Sequence, residues 1–338
     1  MYTANEKSYD KMIYNRVGHS GLKLSAIALG LWNNFGSVDP IQNQKAIIHT
    51  AFDLGITYFD LANNYGPVPG SAETNFGQIM KDDMKPYRDE MVIASKAGYV
   101  MWPGPYGNWG SKKSIIASAD QSLKRTGLDY FDIFYTHRPD PKTPVEETAL
   151  ALDQLVHQGK ALYIGISNYD GKQTKAIAKV FEDLKTPFII NQSRYNMLNR
   201  DVEENLLPEL EKENKGMVSY SSLAQGLLTD KYLKGIPANS RANKSTIPFL
   251  HRSQVKQTLG TIEKLNKVAE KRGQSLAEMA LAWDLREKEM TSVLIGASRP
   301  EQVIDNVNAL DNLHFTKKEL AKIDKILDEQ KKIDWSKK

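Results

Sequence analysis

The chain has 338 residues, 45 Lys+Arg against 41 Asp+Glu, a net charge of +4 and no cysteine. The two signs are interleaved along most of the sequence, which argues against a nucleic-acid-binding face. The lack of cysteine excludes disulfides and thiol catalysis, no apolar run approaches the ~20 residues that span a bilayer, and the first residues carry no signal-peptide core, so a soluble cytoplasmic protein is expected.

Taken in order, residues 12–25 read as a small hairpin turning at Gly18-His19-Ser20-Gly21. A short apolar strand at 26–30 is followed by Trp32. Residues 41–54 place apolar side chains at helical spacing, and Gly55 stops the helix. A strand at 56–60 precedes a helix expected from Ser71 to about Met84. A strand at 91–96 opens into a loop rich in Gly, Pro and aromatic residues, 98–110. The pattern then repeats as helix 112–125, strand 131–136, helix 144–158, strand 161–166, helix 171–184, strand 187–191, helix 201–214 and strand 217–221. A long insertion, 222–252, leads to helices 253–272 and 275–288, a last strand at 291–295, and helices 300–310 and 316–330. The lysine-rich stretch 331–338 reads as a solvated tail. Eight strands in strict alternation with helices require parallel pairing with helical crossovers. At this length they favour a closed (β/α)8 TIM barrel, with the N-terminal β-hairpin and extra helices, as one domain over 1–338.

Three apolar strands stop on ionisable residues, Asp60, Lys96 and His137, and Tyr65 follows five residues after the first. The C-terminal strand ends are where such barrels build sites. A tyrosine is a poor acid at neutral pH, but a nearby ammonium favours its phenolate and is expected to lower its pKa. A carboxylate beside the lysine keeps it charged, and a neutral histidine can orient a carbonyl oxygen. Tyr65 is then the general acid that protonates a carbonyl as a hydride arrives. Alone, each residue has a plainer reading: a capping Asp, a hydrogen-bonded core His, a surface Lys, a loop-anchoring Tyr. Four compatible groups at three strand ends outweigh those readings.

A hydride needs a donor, yet no Gly-x-Gly-x-x-Gly follows the first strand, so a Rossmann site is not supported. Residues 231–262 contain no Asp or Glu but carry Lys231, Lys234, Arg241, Lys244, Arg252 and Lys256. This locally cationic insertion suits a dinucleotide diphosphate, although a merely solvated basic loop has the same composition. Gly296-Ala297-Ser298-Arg299-Pro300 joins the last strand to a helix whose first turn can take a phosphate on free N–H groups.

Beyond these groups, residues 55–66 (Gly-Ile-Thr-Tyr-Phe-Asp-Leu-Ala-Asn-Asn-Tyr-Gly), Gly165-Ile166-Ser167-Asn168, Asn191-Gln192 and residues 220–227 resemble the aldo-keto reductases, and the resemblance covers almost the whole chain. Residues 96–107 and 293–299 are most similar to the bacterial L-glyceraldehyde 3-phosphate (methylglyoxal) reductases of that family. The β subunits of voltage-gated potassium channels share the barrel but carry Asn at the position of His137, so the match is to the enzymes. The resemblance implies Asp60, Tyr65, Lys96 and His137 as the catalytic tetrad and NADPH/NADP+ as cofactor, with Trp32 and Asp60 beside it. It places the nicotinamide on Tyr220, the carboxamide on Ser167, Asn168 and Gln192, and the diphosphate on Ser221, Leu223, Gln225 and Lys231. Arg241, Gly296, Ser298, Arg299, Gln302 and Asn306 fall to the adenosine end. Asp305 stands where close relatives often have Glu, and the insertion is shorter than theirs between Arg241 and Gln254.

The same resemblance implies a small carbonyl substrate, with Trp32, Tyr65, Tyr99, Trp102 and His137 around it. Trp109 serves equally as a pocket wall or as loop packing, and Arg138 is read as structural. Two other classes compete. One is a cofactor-binding regulatory or partner subunit with little turnover, like the channel β subunits, and the other is a phosphate-handling barrel isomerase or lyase. The complete tetrad disfavours the second. Neither the oligomeric state nor the physiological carbonyl is legible in the chain.

Overall fold

The computed structural model describes residues 2–238, 240–243 and 250–330. Lys244 and the 331–338 tail lie outside the described residues. The hairpin forms as expected, with β1 (Tyr14–Arg16) antiparallel to β2 (Lys23–Ser25). Val17 N–H donates to Leu22 O across the turn.

Eight further strands follow: β3 (Ile27–Gly30), β4 (Tyr58–Asp60), β5 (Val92–Ala97), β6 (Phe131–Thr136), β7 (Ala161–Ser167), β8 (Phe188–Arg194), β9 (Gly216–Tyr220) and β10 (Met290–Ile295). They close in sequence order into a parallel barrel, with β10 pairing β3 and β9. The (β/α)8 fold read from the sequence is therefore present.

Period-two alternation divides the apolar residues into two cores. Ala28, Tyr58, Ala94, Ile133, Tyr135, Ile190 and Val218 fill the barrel interior, and Leu24 of the hairpin packs there too. Phe59, Ile93, Phe134, Ile164 and Ile166 join the layer under the helices. Tyr135 needs room inside the barrel, and Gly165 on the neighbouring strand supplies it. A Cβ on Gly165 would sit 2.2 Å from the Tyr135 ring.

The outer layer contains α1 (Ile41–Asp53), α2 (Ser71–Ile79), α3 (Lys112–Thr126), α4 (Val145–His157), α5 (Gly171–Leu184), α6 (Val202–Asn205), α7 (Leu207–Glu213), α8 (Arg252–Lys271), α9 (Leu276–Asp284), α10 (Pro300–Val307) and α11 (Lys317–Asp328). Two expected helices differ. The helix from Ser71 stays α-helical only to Ile79, passes through a π-turn at Met80–Met84, and tightens into a 3-10 segment at Lys85–Glu90. The expected 201–214 helix breaks between α6 and α7, because Pro208 has no N–H to offer the carbonyl four residues earlier. No helix among the described residues is long and apolar enough to cross a membrane. A cavity of about 440 Å3 lined by Tyr14, Leu22, Thr57 and Val92 opens at the opposite end of the strands from Asp60 and Lys96.

Candidate active site

The alternation that builds the barrel core also aims the chemistry. Tyr58 and Asp60 share the inward face of β4, Ala94 and Lys96 that of β5, and Tyr135 points inward on β6, two residues before His137. Gln192 continues the inward face of β8 after Ile190. The polar residues thus sit as one layer on top of an apolar and tyrosine-lined interior.

Asp60 and Lys96 are buried, at 1% and 0% exposure. Lys96 Nζ donates to Asp60 Oδ2 and to Leu61 O, both at 2.6 Å. Asp60 Oδ1 accepts from Gln192 Nε2 at 2.8 Å and from Tyr58 Oη at 3.2 Å. Tyr58 Oη is in turn 3.0 Å from Tyr135 Oη. A buried ion pair contributes only when its remaining hydrogen-bonding positions are satisfied, and this one is held from three strands. Burial pulls the Lys96 ammonium below its ordinary value, and Asp60 opposes that shift.

Tyr65 lies past the end of β4. Its ring packs 6.2 Å from Trp32 and 5.8 Å from His137, with Lys96 Nζ 5.0 Å from the ring centre. The expected lowering of the Tyr65 pKa is not what the structure shows. Burial, followed by the charge of Asp60, pushes the phenol well above its ordinary value. Burial outweighs the ammonium, which directs its hydrogen bonds to Asp60 and Leu61. A phenol shifted this way keeps its proton at neutral pH.

His137 is 8% exposed. Burial, then Lys96 and Arg138, pull its imidazole well below the ordinary value, so it is neutral near pH 7. Its Nδ1 is buried without a hydrogen-bond partner among the described residues. Tyr99 meets the imidazole edge-on at 4.7 Å.

Asn168 adopts a left-handed conformation, φ 63°, that asparagine tolerates better than most residues. Its Nδ2 donates to His137 O at 3.0 Å and to Ser167 Oγ at 3.1 Å, and Tyr220 Oη donates to its Oδ1 at 2.7 Å. Ser167, Asn168, Tyr220 and His137 therefore form one connected rim.

The turn after β9 is conformationally costly: Ser221, Ala224 and Gln225 all have positive φ, 58°, 47° and 61°. Each such non-glycine residue costs about 1–2 kcal/mol. Arg241 reaches from the insertion to this turn, with Nη1 2.6 Å from Gln225 Oε1. Leu223 is half-buried in the turn, while Lys231 is exposed on the segment beyond. At the end of β10, Gln302 Oε1 accepts from Ser298 N and Oγ at 2.8 and 3.1 Å. Arg299 precedes α10 with its side chain 60% exposed and its Nε 3.5 Å from Glu301 Oε2. Asn306 is buried on the same helix.

The 98–110 loop does two things that the sequence left open. Arg138 is clasped by it, 3.5 Å from the Trp109 ring centre and 4.2 Å from that of Tyr99. Its Nε donates to Gly98 O and its Nη2 to Asn108 Oδ1. Arg138 is thus held as a loop clasp instead of an ion pair, with Trp109 packed against its guanidinium. Trp102 folds back over its own loop onto Gly107, where a Cβ would meet its ring at 2.9 Å. Tyr58, Tyr135 and Asp284 were not singled out by sequence reasoning. The only available signal was polar residues alternating within apolar strands and, for Asp284, a carboxylate on an otherwise apolar helix.

Comparison with known proteins follows the geometry. Residues 26–328 match the Aldo/keto reductase family. The chain is 52% identical to L-glyceraldehyde 3-phosphate reductase of Escherichia coli K12 over 328 residues, 96% of this chain and 95% of that protein. It is 36% identical to a probable voltage-gated potassium channel subunit beta of Oryza sativa subsp. japonica, covering 93% of this chain and 95% of that one. A protein of the same description from Arabidopsis thaliana is also 36% identical, over 89% of this chain and 92% of that one.

Proposed function

The chain belongs to the aldo/keto reductase family, oxidoreductases served by a nicotinamide cofactor, and on that premise we propose that it reduces small aldehydes and ketones with NADPH. The substrate class is that of L-glyceraldehyde 3-phosphate and methylglyoxal, following the 52% identical relative and the aromatic loop beside His137. The single observation that carries the reading is the buried pair Asp60–Lys96 at 2.6 Å, with the ammonium 5.0 Å from the Tyr65 ring.

The donor set fits an extended dinucleotide. Amide and hydroxyl groups of Ser167, Asn168 and Gln192 serve the carboxamide, and Tyr220 supplies a ring held by Asn168. Trp32 flanks the same end. Ser221, Leu223, Gln225 and Lys231 serve the diphosphate. Arg241, Gly296, Ser298, Arg299, Gln302 and Asn306 serve the adenosine end, where the 2′-phosphate needs a fixed cation. Arg241 of the insertion meets Gln225 beside this end. When bound, the cofactor supplies a hydride to the carbonyl carbon.

Every other task falls to the chain. His137, neutral and with an imidazole edge to offer, orients the carbonyl oxygen. Tyr65, kept protonated, gives its proton to that oxygen as negative charge develops there. Lys96 stabilises the resulting phenolate, and Asp60, held by Gln192 and Tyr58, keeps Lys96 charged. Trp32, Tyr99 and the loop carrying Trp102 limit the size of the substrate and exclude water. The reaction is placed in the cytoplasm.

A second reading, a cofactor-binding partner subunit with little turnover, draws on the 36% identical relatives named as channel subunits. Loss of NADPH absorbance against a panel of aldehydes separates the two. Turnover of L-glyceraldehyde 3-phosphate or methylglyoxal supports the enzyme, and tight NADPH binding without turnover of any aldehyde supports the subunit.

A further inference from the structure

Asp284, the last residue of α9, is fully buried in a helix whose other buried residues are Leu276, Met279, Ala280, Leu281, Ala282 and Trp283. Carboxylates are almost never fully buried without a charged partner, and the described residues place no ion pair on this one. Instead Ser219 Oγ donates to its Oδ2 at 3.4 Å, and Ser222 is reached through Ser219. Ser219 Oγ and Ser222 Oγ are 2.9 Å apart, and Asp284 Oδ1 has no partner among the described residues.

Ser219 lies on the outward face of β9, and Ser222 lies within the turn in which Ser221, Ala224 and Gln225 are all left-handed. Three such residues within five persist only where surrounding contacts over-determine them. Asn196 Nδ2 holds Ser221 O from one side at 2.9 Å, and Arg241 holds Gln225. From beneath, the anchor is the Asp284 carboxyl.

We propose that Asp284 is a positioning residue for the cofactor: through Ser222 and Ser219 it fixes the strained Ser221–Gln225 turn in the form that receives the dinucleotide diphosphate. The proposal rests on the reading that NADPH binds along this turn. It explains why a helix otherwise apolar at this point tolerates a carboxyl with an unsatisfied oxygen. Burial pushes the Asp284 carboxyl well above 3.8, with Ser222 opposing the shift. Of the charged groups near it, Arg286 favours ionisation and Glu203 on α6 opposes it. An acid that holds its proton can both donate and accept.

The test compares Asp284→Leu, Asp284→Asn and Ser222→Ala with the wild type by fluorescence titration of NADPH and by thermal melting of the free protein. Leucine removes the hydrogen bond but suits the apolar surroundings. The expected result is a Tm no lower than wild type together with a Kd for NADPH raised at least tenfold, while kcat at saturating NADPH stays within twofold. Asparagine, which keeps a donor and an acceptor, restores Kd to within about threefold. Ser222→Ala weakens NADPH as Asp284→Leu does, and the double variant is no weaker than either single one. The proposal is overturned if Asp284→Leu binds NADPH within twofold of wild type, or if affinity falls only in step with Tm and asparagine fails to rescue it. Should Asp284→Leu not fold, Ser222→Ala decides alone: normal affinity overturns the proposal. A wild-type protein that does not bind NADPH overturns the cofactor reading itself, which is a different outcome from a bound cofactor indifferent to Asp284.

Discussion

Replacing Lys96 by methionine keeps the length of the side chain and removes its charge. Two hydrogen bonds of 2.6 Å disappear, to Asp60 Oδ2 and Leu61 O, at a position that is 0% exposed. Asp60, 1% exposed, keeps only Gln192 and Tyr58. Breaking one side of a buried pair costs about 3–5 kcal/mol. A chain of this size has an unfolding entropy of roughly 0.7 kcal/mol/K near its midpoint, so Tm should fall by about 4–7 °C. The catalytic loss has a separate origin. Without the ammonium nothing stabilises the phenolate that Tyr65 becomes, and a general acid contributes typically ~10²–10⁴-fold in rate. The assay is a thermal melt alongside NADPH-linked reduction of methylglyoxal at a temperature where the variant stays folded. A variant that melts as calculated but retains rate within tenfold of wild type would show that Lys96 holds the barrel together and takes no part in proton transfer.

Arg299→Ala should weaken NADPH by about tenfold or more, since a charge-assisted hydrogen bond contributes roughly 1.5–3 kcal/mol; NADH should hardly change, and equal weakening of both in fluorescence titration refutes the assignment. Arg138→Met removes the stack on Trp109 and Tyr99 and the bonds to Gly98 and Asn108; it should raise KM for methylglyoxal several-fold with NADPH affinity unchanged, as steady-state kinetics would reveal. His137 has a folded pKa depressed below 6.5, so its contribution to stability is fully present above pH 6.5 and is lost as pH falls from there toward the folded value; His137→Asn should flatten that part of a Tm–pH profile. Asp284 has the opposite sign. Its folded pKa is raised, so its contribution is present below pH 3.8 and is lost as pH rises from 3.8 toward the folded value; Asp284→Asn should remove the slope in that window.

The strand ends were readable because an apolar run that stops on Asp60, Lys96 or His137 says where the barrel ends and what stands there. That Asp60 and Lys96 face inward emerged only with the barrel, because the strands read as near-continuous apolar runs. The hairpin turn at 18–21 was readable from its two glycines. What the sequence could not carry is contact between distant residues. Gln192 lies 132 positions from the Asp60 it supports, and Asp284 lies 65 from Ser219. Arg138 could be judged structural but not placed between two aromatic rings. The tyrosine pKa was misjudged for a related reason: a nearby ammonium was inferred, whereas the burial that pushes the phenol up, with the charge of Asp60 behind it, comes from packing between distant segments. The helix boundaries at Ile79 and Leu206 were missed because apolar periodicity runs on through a π-turn and past Pro208.

The central claim is that Tyr65 delivers the proton in an NADPH-dependent reduction. Its direct measurement is single-turnover oxidation of bound NADPH by L-glyceraldehyde 3-phosphate in wild type and Tyr65→Phe, with NADPH Kd measured on both. The account predicts that wild type oxidises the cofactor, and that the variant binds NADPH within about twofold of wild type yet loses all but a few per cent of the rate. A Tyr65→Phe protein that turns over at a substantial fraction of the wild-type rate would contradict it.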